Sequence, residues 1–158
     1  MRRAMPILGL AAVVLAAAGV GLIALDRPVS ASLELRPQDA DLVALGEKVY
    51  AAECAVCHGA DLGGQANWRE RRADGRLPAP PHDESGHTWH HPDAQLIELT
   101  KRGIAAMVGG GYESDMPAYE NVLSDEEIVA VLSYIKSRWP DEVRRQHDMI
   151  NRRTKETQ

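Results

Sequence analysis

Cysteine is scarce in this chain, where Cys54 and Cys57 are the only two among 158 residues. A structural zinc site usually takes four ligands, often as two separated cysteine pairs, and the sequence has no second pair. A thioredoxin-like C-x-x-C is expected within a βαβ pattern, which is absent around these cysteines. A disulfide between the two would leave the adjacent His58 unexplained. These exclusions point to a chemistry that uses both thiols together with the histidine.

Strand patterns and an excess of basic charge are also lacking. No segment alternates at period two for long enough to predict a strand, and no internal repeat is visible. The 18 Lys and Arg residues stand against 23 Asp and Glu residues, which gives a net charge of −5 at pH 7. Nucleic-acid binding favours a basic face, so the composition argues against that class of partner. We predict one small all-α domain that keeps an acidic surface.

One long apolar run is present, at residues 5–25, and it follows Arg2 and Arg3. Its length suits a helix that crosses a bilayer, whereas a secretory signal has an apolar region of only ~7–15 residues. Cleavage after residues 29–31 (Val-Ser-Ala) is the alternative, and it would release a periplasmic form. We favour a single N-terminal membrane anchor. The positive-inside rule then places the domain on the side of the membrane opposite the cytoplasm.

The five residues 54–58 read Cys-Ala-Val-Cys-His, the C-x-x-C-H attachment signature of c-type haem. On a short helical turn, the two thiols can each add to one vinyl group of the same haem. His58 then lies under the iron and supplies the proximal nitrogen ligand. A single motif predicts one covalently bound haem c, whose buried surface would supplement a modest protein core.

The remaining pattern divides the chain into four parts. Residues 1–28 form the anchor or signal, 29–38 a linker, 39–140 the domain, and 141–158 a charged tail with no predicted role. Within the domain, apolar residues at helical spacing follow residue 39 into the haem motif, and a long loop covers 59–92. Further helices are predicted at 93–102 and from the capping box at Ser124 to Pro140.

The second iron ligand has several candidates in the sequence. We predict Met116, because Pro117 stiffens the backbone after it and a glycine run at 109–111 precedes it on a loop. Methionine with histidine is the known ligand pair of cytochromes c. Met107 is interpreted as core filler. The other candidates are His82, His87, His90, His91 and His147.

Four of those histidines crowd into residues 82–91. One hypothesis is a copper or zinc site made by His87 with His90 or His91 and with Asp83. Another is a histidine that replaces methionine on the iron. We favour a third, in which the histidines bond haem propionates or backbone and Trp89 packs on the porphyrin.

Over residues 39–140 the chain resembles the class I, single-haem cytochromes c, particularly the small membrane-anchored bacterial members. C-x-x-C-H and the Met-Pro-Ala-Tyr sequence at 116–119 carry the likeness. The resemblance implies a cytochrome c-like helical fold around one haem. Cys54 and Cys57 would be its thioether residues, and His58 and Met116 would be the axial ligands.

The resemblance also assigns residues around the haem. Gly46 and Tyr50 match the glycine and aromatic residue of an N-terminal helix that crosses the C-terminal helix, where Tyr134 is the expected partner. A proline carbonyl is expected to accept the Nδ1–H of His58, and among Pro78, Pro80 and Pro81 we favour Pro80. Tyr50, Pro80 and Trp89 are therefore predicted to lie at the haem pocket.

The function implied is transfer of one electron between respiratory-chain partners, a quinol-oxidising complex and a terminal oxidase, without enzymatic activity. Two alternatives remain open at this point. One is a haem-based peroxidase or gas-binding protein, and the other is a copper- or zinc-handling protein that uses the insert at 82–91.

Overall fold

The structure is a computed structural model that describes residues 34–157, and its regular secondary structure there is entirely helical. The all-α prediction is confirmed for this part of the chain. The apolar run at 5–25, the cleavage alternative at 29–31 and the first part of the linker lie outside the described residues. Between residues 34 and 157, no helix combines the length and the apolar character that crossing a bilayer requires.

Local sequence signals explain where several helices begin. The Asp39 carboxylate accepts a hydrogen bond from the backbone N–H of Leu42, and the predicted capping box joins Ser124 to Glu127. In chain order the helical elements are α1 (Ala40–Val49), a π-helical turn (Tyr50–Cys54), α2 (Ala55–His58), a 3₁₀ turn (Thr88–His90), α3 (Asp93–Arg102), α4 (Ile104–Val108), α5 (Asp125–Ser137) and α6 (Asp141–Glu156).

The core forms where α1 crosses α5. A Cβ atom on Gly46 would lie only 2.0 Å from the carbonyl oxygen of Ala130, so the two helix backbones meet at a distance that only glycine allows. One turn along, the rings of Tyr50 and Tyr134 lie 5.5 Å apart. The predicted crossing of a glycine and an aromatic residue with the C-terminal helix is therefore confirmed.

The charged tail forms a helix that packs on the domain, which the sequence pattern did not predict. His147 of α6 is fully buried, and its Nε2–H donates to the carbonyl of His91 at 2.9 Å. Asn151 exchanges two hydrogen bonds with Asp93 at the start of α3. The second carboxylate oxygen of Asp93 accepts from the N–H of Leu35. Helix α6 thereby joins the histidine-rich segment, α3 and the first described residues.

Candidate functional site

A cavity of about 610 Å³ opens beside the C-x-x-C-H motif. Ligand pockets usually hold ~300–1,000 Å³ and are mostly apolar with a few polar groups. Cys54, Cys57, His58 and Met116 all line it. Aliphatic side chains from α3, α4 and α5 complete the walls, among them Leu96, Leu99, Ile104, Leu132 and Ile135.

The two cysteines lie on consecutive helical turns and are not joined in a disulfide. Cys54 ends the π-helical turn and is half-buried, while Cys57 on α2 is exposed. Burial, followed by the nearby Glu53 and Cys57, raises the pKa of the Cys54 thiol to about 11, so this thiol is neutral at pH 7. A π-helical turn is rare and is frequently found at functional sites.

His58 is buried, and its orientation is fixed by a hydrogen bond from Nδ1 to the carbonyl oxygen of Pro80 at 2.8 Å. Of the three candidate prolines, the favoured one supplies the acceptor. Burial lowers the pKa of His58, with the Pro80 bond acting in the opposite direction. A neutral ring that donates from Nδ1 presents the Nε2 lone pair to a metal.

His82 supports the same ring from its face. The two imidazoles stack with centroids 3.9 Å apart and planes 24° from parallel. The Nδ1 of His82 hydrogen-bonds the Thr88 hydroxyl, and its carbonyl accepts from the indole N–H of Trp139. Burial, then the neighbouring His58 and His87, lowers the pKa of His82 well below its ordinary value. His82 thus serves as a neutral packing partner of His58.

Met116 is partly exposed and lines the cavity from the loop that precedes α5. Its N–H donates to the Ser114 hydroxyl at 3.1 Å. Three residues later, the buried Tyr119 donates its O–H to the carbonyl of Glu53 in the π-helical turn at 2.9 Å. Burial raises the pKa of Tyr119 to about 12, which keeps the hydroxyl a donor. Tyr119 therefore joins the methionine loop to the cysteine motif, a link that sequence reasoning missed.

Tyr50 and Trp89 are not among the residues that line the cavity. Tyr50 is buried in the α1–α5 crossing, and its hydroxyl donates to the carbonyl of Gly59 at 2.8 Å. Trp89 lies on the 3₁₀ turn, where its indole N–H donates to the Glu84 carbonyl and its ring contacts that of His90 at a tilt of 42°. Both aromatic residues support the walls from outside.

A different tryptophan, Trp68, reaches the cavity. The guanidinium of Arg69 lies 4.0 Å from the Trp68 ring centroid, and the ring of His87 stacks at 5.4 Å. All three residues line the cavity. An indole N–H and a guanidinium are donors that suit carboxylates, so this stack can take a haem propionate.

The histidine-rich segment shows no metal-binding geometry. Across residues 34–157, no three His, Cys, Asp or Glu side chains converge closely enough to hold an ion. The rings of His87 and His91 lie 5.9 Å apart, edge to face. The segment's histidines contact aromatic rings, the Thr88 hydroxyl and, through the His91 carbonyl, helix α6.

The donor set fits a covalently bound haem: two adjacent thiols, an imidazole held by a backbone carbonyl, and a thioether share one largely aliphatic cavity. Comparison with curated proteins and with solved structures found no match. A family model described as Cytochrome c matches residues 43–139, more than half of the chain, which includes the motif, Met116 and helices α3 to α5. The chain therefore belongs to the cytochrome c family.

Proposed function

We propose that this protein is a single-haem electron carrier whose iron is held by His58 and Met116. The observation that carries the proposal is the shared cavity in which both thiols, the imidazole and the thioether are brought together. When bound there, haem supplies a one-electron couple between ferric and ferrous iron. Methionine as an axial ligand raises the reduction potential of that couple.

The residues of this chain have separate roles in the proposal. Cys54 and Cys57 hold the haem by thioether bonds. The Pro80 carbonyl and the stacked His82 ring keep His58 in one orientation, so little rearrangement accompanies a change of charge. The aliphatic side chains of α3 and α5 exclude water from the cavity.

We also propose the redox partners and the location of this protein. A quinol-oxidising complex would be the donor and a terminal oxidase the acceptor, and each would dock weakly and briefly, as redox partners generally do. The acidic net charge favours a positive docking patch on the partner. The run at 5–25 would anchor the chain in the bacterial cytoplasmic membrane with the domain in the periplasm. Mass measurement of the mature protein and membrane fractionation test the anchor against cleavage.

Measurements of carbon monoxide binding and of peroxide turnover distinguish electron transfer from haem-based gas binding or peroxidase activity. We expect the reduced holoprotein to refuse carbon monoxide, to undergo a reversible one-electron titration, and to turn over peroxide no faster than free haem. Carbon monoxide binding by the native reduced protein would overturn the Met116 assignment. Rapid peroxide turnover would overturn the carrier function itself.

A copper- or zinc-handling function is tested by metal titration of wild type against His87→Ala/His90→Ala. Because no three potential ligands converge among residues 34–157, we expect equal, weak binding by both proteins. Tight binding that the double substitution abolishes would contradict this.

A further inference from the structure

The part of the loop that precedes Met116 has little support of its own. Gly109, Gly110 and Gly111 all have positive φ, and a Cβ added at any of them would meet nothing within 4 Å. Such a run leaves the backbone free to pivot. After it, Met116 hydrogen-bonds only to the nearby Ser114 among the described residues. Tyr119 holds the loop after Met116, so something else must fix the part that precedes it.

Apart from the local bond from the Tyr112 N–H to the Gly109 carbonyl, the hydrogen bonds that residues 112–116 make outside their own segment, within the described chain, go to residues 71–76. Arg72 and Arg76 both hydrogen-bond the carboxylate of Asp115, the residue before Met116. Arg76 also reaches Glu113 at 3.4 Å.

A second contact joins the same two segments. The guanidinium of Arg71 lies 5.7 Å from the centroid of the Tyr112 ring, and the Arg71 side chain is itself held by the carbonyl of Gly75. The 71–76 segment leads directly into residues 77–80, which line the cavity and end at the Pro80 acceptor of His58. The segment that holds the methionine loop is thus continuous with the one that orients the histidine.

We propose that Arg72, Arg76 and Asp115, here called the clasp, position Met116 and set how readily an external ligand displaces its thioether. The inference rests on the proposed function in one respect, that Met116 binds the iron. The clasp residues are positioning residues, because they act through the loop.

Imidazole is a suitable probe of the clasp. It is largely uncharged above neutral pH, so removing a charge from Asp115 does not alter its attraction to the cavity. Its nitrogen bonds to ferric iron as the thioether sulfur leaves, and no electron or proton is transferred. The binding constant therefore reports how strongly the loop holds Met116 in place.

The experiment titrates ferric holoprotein with imidazole at a slightly alkaline pH. Asp115→Asn removes both clasp pairs at once, and we expect imidazole affinity to rise about fivefold, the size expected from two exposed ion pairs. High salt should raise the wild-type affinity and leave that of the variant almost unchanged. Glu34→Gln is the matched control, since it breaks the exposed pair with Lys155 at a distance from the cavity.

A double-mutant cycle completes the test. Arg72→Gln/Arg76→Gln should raise affinity as Asp115→Asn does, and combining all three changes should add little. Ferric iron bound by methionine has a weak charge-transfer absorption band in the far red. If that band is present in both proteins and wild type and Asp115→Asn bind imidazole equally, the clasp alone would be overturned. Absence of that band from wild type would instead overturn the proposed function.

Discussion

The Nδ1 atom of His58 lies 2.8 Å from the carbonyl oxygen of Pro80, which makes a loop residue 22 positions away the partner that orients the proposed iron ligand. A hydrogen bond of this kind fixes the ring and makes it a stronger electron donor to a metal. Gly64 packs on the same proline: at a φ of +69°, its added Cβ would come within 2.6 Å of the Pro80 carbonyl carbon.

Gly64→Ala should displace Pro80 and weaken its bond with His58. We expect a loss of about 1–3 kcal/mol in the free energy of unfolding, together with a higher reduction potential, because the imidazole becomes a poorer donor. Spectroelectrochemical titration measures the potential. Gly75→Ala is the matched control, since it has the same left-handed strain at φ +83° but open space around it. Equal shifts of potential in both variants would show that strain alone is responsible.

Gly46→Ala should lower the free energy of unfolding by about 1–3 kcal/mol through overpacking. Alanine is intrinsically the better helix residue by about 1 kcal/mol, so any loss must come from the contact with Ala130. Denaturant unfolding of the holoprotein gives the measurement. In Gly63→Ala the new methyl group meets only the Asp61 carboxylate at 3.2 Å, so stability should change little. A stabilised Gly46→Ala protein would contradict the close α1–α5 crossing.

Tyr119→Phe removes the hydroxyl that joins the methionine loop to the Glu53 carbonyl. The expected cost is about 1–2 kcal/mol, because one hydrogen bond is lost and a partly buried carbonyl loses its partner. Imidazole should also displace Met116 more easily. Tyr112→Phe serves as control, since the Tyr112 hydroxyl makes no hydrogen bond among residues 34–157 and its ring stays near Arg71. If both variants behave like wild type, Tyr119 does not join the two segments.

Acidification should weaken the packing of α6 on the rest of the domain, because the buried His147 of this helix becomes protonated. Burial, then Lys136, lowers the pKa of His147 below its ordinary value, while Asp93 and Asp148 act in the opposite direction. The unfolded state therefore binds this proton first, and the contribution of His147 is complete above pH ~6.5 and declines as pH falls toward the lowered pKa.

His147→Gln isolates that contribution, because the amide can still donate to the His91 carbonyl but does not titrate. We expect the variant to have a shallower dependence of unfolding free energy on pH between 7 and 5. The difference in slope should be at most about 1.4 kcal/mol per pH unit. Identical slopes would show that the proton of His147 is not linked to folding.

Residue patterns within a short stretch of sequence predicted the structural features that depend only on neighbouring residues. C-x-x-C-H and the capping box at Ser124 each contain their own physical reason. Helix α6 has only three larger apolar residues, Val143, Met149 and Ile150, and its hydrogen bonds to the domain come from His147 and Asn151, whose partners lie more than 50 residues away.

The loop at 59–92 shows the same limit within the site. Trp89 and Trp68 both stand among polar residues, and only the path of the folded loop decides which ring lines the cavity. The same path brings Arg72 and Arg76 to Asp115, with which both form ion pairs. Pairings across 40 residues depend on tertiary structure and cannot be derived from spacing.

The far-red absorption of the ferric holoprotein tests the central claim that His58 and Met116 share one iron. Wild type should show the weak methionine–iron charge-transfer band, Met116→Ala should lose it and bind carbon monoxide when reduced, and Met107→Ala should keep it, although Met107 also lines the cavity. A band that survives Met116→Ala, or that is absent from wild type, would contradict the account.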